Sequence, residues 1–180
     1  ELEAILQDRL APARRGEPVQ WMRSLIRAYH YKAVMLFDSR LNRILLEPDH
    51  PILSESTDRE IARRTMRDGR IILSDLYRVE PSGSIHMDLA IPIPAAPENH
   101  GIIGALVIRI DPRNFLYPLI QTWPEPSASA ESLLVRREGD SALFLNDLRH
   151  RGDSALRLRL PLSRSGLPAA EAVLGRTGVI

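Results

Sequence analysis

There is no cysteine among the 180 residues. Disulfide frameworks, thiolate metal sites, cysteine nucleophiles and covalently attached c-type haem are thereby excluded. Lysine is nearly absent too: Lys32 stands alone, and arginine carries the remaining positive charge. No sign of charge dominates, since 24 Lys and Arg face 23 Asp and Glu, a formal net charge of +1. No bulk electrostatic argument points to an anionic lipid surface, and no nucleic-acid partner is expected. No apolar run approaches the roughly 18 residues that a membrane span needs, and no signal peptide is visible. The catalytic signatures are missing as well. There is no G-x-S-x-G elbow, no P-loop and no dinucleotide fingerprint. Gly101-x-x-Gly104 falls inside a strand pattern, where glycine marks a bulge or close backbone approach. The chain reads as non-catalytic, with no cofactor implied. What is present is 44% hydrophobic and 26% charged residues, enough for one large or two small domains.

Periodicity gives an α+β order. Residues 1–10 (ELEAILQDRL) are helical in pattern, and Pro12 and Gly16 interrupt them. Residues 17–31 resume a helix, with Pro18 in its first turn and Trp21, Met22, Leu25, Ile26 and Tyr29 on a wide apolar face. AVMLFD (33–38) is a continuous apolar run suited to a buried strand, and RILLE (43–47) returns it. Thr57-x-x-Glu60 matches a capping box, predicting a helix over 58–68 with Gly69 at its end. A meander follows: strands at 70–78, 85–94 and 101–110, then a helix over 112–123 with Asp111 as its N-cap. PEPSASA (124–130) reads as a linker. Beyond it come strands at 131–137 and 142–146, an alternating strand ALRLRLPL (155–162), and a short helix from Pro168 to Gly175.

The two halves repeat an order of strand, turn, strand, loop, helix, glycine and strand start. The first is AVMLFDSRLNRILLE with TDREIARRTMRDGRIIL; the second is ESLLVRREGDSALFLND with PAAEAVLGRTGVI. This predicts an N-terminal helical segment (1–32), a first module (33–123), the linker (124–130) and an incomplete second module (131–180). The chain starts at Glu1, and the second module stops where its next strand is expected. The sequence is therefore read as a piece of a longer protein. Strands left without partners in that module would carry open edges.

This pattern resembles the double Cache (tandem PAS-like, PDC-type) sensor domains. The stretches SDLYRVEPSGSIHMDLAIPI, YPLIQTWPEPSASAESLLVRREGD and LFLNDLRHRGDSALRLRLPL carry the likeness. The resemblance implies an N-terminal helix on one face of an antiparallel PAS-like sheet and a ligand pocket on the other. It also implies an extracytoplasmic location, a membrane-anchored parent with a histidine kinase or diguanylate cyclase output, and a homodimer formed through the N-terminal helix. The aromatic-Arg-Asp signature of some amino-acid receptors of that family is not evident here, so amino-acid recognition is not carried over.

Candidate site residues follow from strand alternation. Ile85, Met87, Leu89, Ile91 and Ile93 share one face of their strand; His86, Asp88, Ala90 and Pro92 share the other. With Asp75 and Tyr77 of the preceding strand, His86 and Asp88 form a set able to hold a small polar molecule. The carboxylates would take an amine, and Tyr and His would orient it. The alternative is a solvated hairpin end bonded to its own loops. His86-x-Asp88 supplies two metal ligands, which do not make a site, so no metal is expected. Arg64 and Arg67, beside the apolar stripe of their helix, are placed to bind a carboxylate or phosphate. The alternative is a solvated helix face. The tripeptide Arg151-Gly152-Asp153 is a chance match.

Overall fold

The computed structural model describes residues 16–48, 55–96, 101–121 and 131–178. The helix expected over 1–10 and the linker over 124–130 lie outside them. The chain divides after Pro112 into two compact units.

The first unit is a six-stranded antiparallel sheet with one helix on each face. Its elements are α1 (Gly16–Tyr29), β1 (Ala33–Asp38), β2 (Arg43–Glu47), α2 (Glu55–Asp68), β3 (Ile72–Leu73), β4 (Tyr77–Val79), β5 (Ser84–Pro94) and β6 (Ile102–Ile110). The strand order is β2-β1-β6-β5-β3, with β4 also paired to β5. β1 lies mid-sheet and is buried on both faces, which is why its sequence is apolar without alternation. Met22 of α1 packs with Val34, Leu36, Leu106 and Ile108 on one face. Ile61 and Ala62 of α2 pack with Met35, Phe37, Ala90, Ala105 and Val107 on the other. The three alanines let the helix approach the sheet closely, and the Thr65 hydroxyl reaches the carbonyl oxygens of Arg70 and Ala90 across the contact. Gly69 ends α2 at φ +62°, a conformation that L side chains rarely adopt.

Three expectations need correction here. α2 starts at Glu55, so Thr57 sits inside the helix and does not cap it. Asp58 is fully buried and turns toward the sheet. The strand expected over 70–78 is broken into β3 and β4, because residues 74–76 step out of register. Asp75 bonds its carboxylate to Leu76 N at 2.7 Å, a local turn that competes with the ladder. The helix expected over 112–123 is a 3-10 turn at Pro112–Asn114 followed by a short α3 (Leu116–Gln121).

The second unit has β7 (Val135–Glu138), β8 (Ser141–Phe144) and β9 (Arg159–Pro161) in the order β7-β8-β9, with α4 (Pro168–Val173). Ala142, Phe144 and Ala169 form its core. The Tyr117 hydroxyl of α3 donates to Leu145 O at 2.6 Å. The strand expected over 155–162 is shortened to β9. The Asp147 carboxylate captures the N–H groups of Ser154 and Ala155 at 2.8 and 2.9 Å, and Leu156 takes φ +57°. That loop wins over an alternating pattern that would otherwise extend the sheet.

Candidate functional site

Strand register assembles the site. Tyr77 on β4 lies opposite His86 on β5, and Asp88, two residues on along the same face, lies opposite Arg109 on β6. All four belong to the face that α2 covers. Arg109 has the parity of Val107 and Ala105, whose side chains pack under that helix. Asp58 comes down from the first turn of α2, where a carboxylate also suits the helix dipole, and its Oδ1 pairs with Arg109 Nη2. Arg109 Nε donates to Asp88 Oδ1 at 3.1 Å, so one buried guanidinium serves a helix and a strand. Arg43 of β2 stands 4.0 Å from the other Asp58 oxygen.

The remaining groups close around this bridge. The Tyr77 hydroxyl donates to Asp88 Oδ2 at 2.5 Å, and its ring centroid lies 5.9 Å from Arg109 Cζ. Ser74 sits at the break between β3 and β4. Its N–H donates to Asp88 O and its Oγ accepts from Asp88 N, both at 2.8 Å, so the broken edge stays hydrogen-bonded. The Tyr77 and His86 rings meet edge to face at 6.2 Å. His86 is only 5% exposed, and its Nδ1 is buried with no hydrogen-bond partner.

Burial and the Asp88 charge push the Tyr77 phenol far above its usual range, so it keeps its proton. Burial, and then the Arg109 charge, push His86 down to about 4, so the ring is neutral at pH 7. Burial works against the Arg109 charge, but Asp88 and Asp58 outweigh it and hold the guanidinium protonated.

Of the residues singled out from sequence, Tyr77, His86 and Asp88 are brought together. Asp75 is exposed at the turn. Arg64 and Arg67 lie on the exposed side of α2, and Arg67 Nε donates to Asp68 Oδ1 at 2.7 Å. Sequence reasoning missed Arg109, Asp58 and Ser74. A signal for Arg109 existed: it is the lone charge in the strand IIGALVIRI. Asp58 was hidden by the capping-box match. Among the described residues, no group of three or more His, Asp or Glu is placed to hold a metal ion.

In the second unit a cleft of about 340 Å³ is lined by Gln121, Glu131, Asn146, Asp147 and Arg149. Its buried polar side chain, Asn146, accepts from Leu134 N and donates to the carbonyls of Ser132 and Asp147.

No family model and no curated protein matches the sequence. Solved structures do. The ligand-binding domain of the Pseudomonas aeruginosa amino acid chemoreceptor PctC, in complex with GABA, superposes with a TM-score of 0.57 at 10% identity. The match covers 87% of this chain and 66% of that one. The PctB domain with L-Arg, from the same organism, gives 0.55 at 14% identity over 90% and 59% of the two chains. The Pseudomonas fluorescens CtaA domain with L-leucine gives 0.52 at 13% identity over 87% and 60%. The fold is that of a chemoreceptor ligand-binding domain. This agrees with the tandem PAS-like, double Cache pattern read from the sequence. The chain spans about three fifths to two thirds of the length of these sensor domains. The three solved domains that share the fold are ligand-binding domains of chemoreceptors. Among the described residues, no helix is long and apolar enough to cross a membrane.

Proposed function

We propose that the chain is the extracytoplasmic sensor domain of a membrane-anchored receptor. It binds a small polar molecule on the α2 face of its first unit, the membrane-distal module, and relays that binding to a cytoplasmic kinase or cyclase output. The observation that carries this reading is the buried polar group on that face. Tyr77, Asp88, Arg109 and Asp58 are bonded to one another, yet His86 among them is buried with an unfilled ring nitrogen. A purely structural network would be expected to satisfy each member. The neighbouring folds, solved with GABA, L-Arg and L-leucine, support it.

The relay has a physical route. Arg109 ties α2 to the sheet through Asp58 and Asp88. A ligand that prefers one placement of the helix by about 100-fold biases the two states by about 2.7 kcal/mol. The test is a thermal-shift screen of the chain against amines, amino acids and carboxylates. A stabilising compound is expected, with its effect lost in His86→Ala and kept in Arg64→Ala.

A second reading, a dimerisation module with no ligand of its own, is favoured by the outer face of α1. Trp21 and Tyr29 there are 44% and 64% exposed, two turns apart on one side of the helix. Constitutive crosslinked dimers with no thermal shift from any compound would select that reading.

A further inference from the structure

We propose that the outer edge of β7 docks an antiparallel β-strand of the same polypeptide, one lying outside residues 1–180. That strand carries apolar side chains toward α3 and an acidic one beside Arg137. The sheet order is β7-β8-β9, so one side of β7 faces no strand among the described residues. Glu138 pairs with Ser141 across the hairpin turn, Arg136 pairs with Leu143, and Leu145 N donates to Leu134 O at 2.9 Å. The N–H and C=O groups of the even-numbered residues are therefore spent on β8, and those of Val135 and Arg137 point to the open side. β1 is the counterpart in the first unit, since it too follows a helix and turns back into the next strand. It has β2 on one side and β6, antiparallel, on the other. Flanked in this way β1 is buried, whereas β7 is half-buried to exposed.

Side chains beside that edge set the chemistry of the strand. A groove of about 640 Å³ adjoins the residues leading into β7, lined by Leu119 and Ile120 of α3 and by Leu133 and Leu134. Leu119 is 53% exposed, and Phe115, one turn earlier, is 68% exposed. A contiguous apolar face of this kind marks an interaction surface. In the first unit α1 lays Met22 across Val34 and Leu36 of β1 and also across Leu106 and Ile108 of β6. A strand beside β7 would give α3 the same cover. Arg137 is exposed; its Nε donates to the Gly139 carbonyl at 3.0 Å, and no carboxylate pairs with it among the described residues. A second copy does not fit this edge. Matching the outward groups of one β7 to those of another sets Arg136 against Arg136, or Arg137 against Arg137, and like charges directly opposite are destabilising. A strand from elsewhere in the polypeptide agrees with the greater length of the solved domains of this fold, of which this chain spans 66%, 59% and 60%.

The experiment is hydrogen exchange at the Val135 and Arg137 amides, measured in residues 1–180 alone and in the full receptor chain. Exchange is expected to be at least about 100-fold slower in the full chain. Two substitutions check the seat. Arg137→Pro deletes an outward N–H and keeps the bonds to β8. Leu119→Gln makes the groove polar at a position already open to water. Both are expected to leave the melting temperature of residues 1–180 unchanged and to remove the added protection of Val135 in the full chain. Equal exchange at both amides in the two chains overturns the assignment. Added protection that survives both substitutions overturns it as well, because the cover then lies elsewhere. So does protection in residues 1–180 that rises with protein concentration, because a second copy is then the occupant. None of these readouts depends on what the first unit binds.

Discussion

At the scale of single residues, Arg109 decides the character of the sheet's α2 face. A guanidinium shared by two buried carboxylates does little for net stability compared with an apolar core of equal volume, because desolvation opposes the Coulomb gain. Breaking it from one side is different. Arg109→Met removes the cation that Asp58 and Asp88 share, and a loss of about 3–5 kcal/mol is expected in urea unfolding. Adding Asp58→Asn and Asp88→Leu to that variant should recover most of the loss. A single variant as stable as the parent would show that the bridge is not a coupled unit. The same residue explains why Asp88 cannot be treated as an idle ligand carboxylate. Both of its oxygens are engaged within the protein, which leaves His86 as the member with capacity to spare.

At the scale of elements, the break between β3 and β4 has a function that an unbroken strand could not supply. It sets Tyr77 opposite His86 while Ser74 keeps the sheet edge bonded through its side chain. Ser74→Ala leaves the Asp88 N–H without its hydroxyl acceptor. A loss of about 1–3 kcal/mol is expected, with faster amide exchange at Asp88. Ser74→Thr should keep both near the parent values. If Ser74→Ala is neutral, the hydroxyl does not hold the edge. The helix α2 was legible as an amphipathic segment, and Ile61, Ala62, Thr65 and Met66 do face the sheet. Its start was misread, because Thr-x-x-Glu is a local signal and Asp58 answers to a partner 51 residues away.

At the scale of the molecule, each unit has its own buried cluster, one around Met35 and Phe37 and one around Ala142 and Phe144. Phe144→Ala should destabilise the second unit by about 3–5 kcal/mol. Hydrogen exchange should show this as lost protection in β7 and β8, with the amides of β5 and β6 unchanged. Equal loss in both units would show that their cores unfold as one. The sensing proposed for the first unit should survive the same substitution, measured as an undiminished thermal shift from whichever compound stabilises the parent.

Sequence by itself determined the local order: α1, the limits of β1 and β2, the face of β5 that carries His86 and Asp88, and the ends at Gly69 and Gly175. These depend on periods of 2 and 3.6 residues and on turn chemistry, which act within a few residues. Tertiary structure alone decided which polar residues meet. Arg109 reaches Asp88 through cross-strand register and Asp58 through helix packing, and both are long-range choices made when apolar faces are buried. The strand 155–162 failed for the same kind of reason. Asp147 offers its N–H groups a closer partner than the sheet does, and that competition is set by a loop fold rather than by the alternation of Leu and Arg.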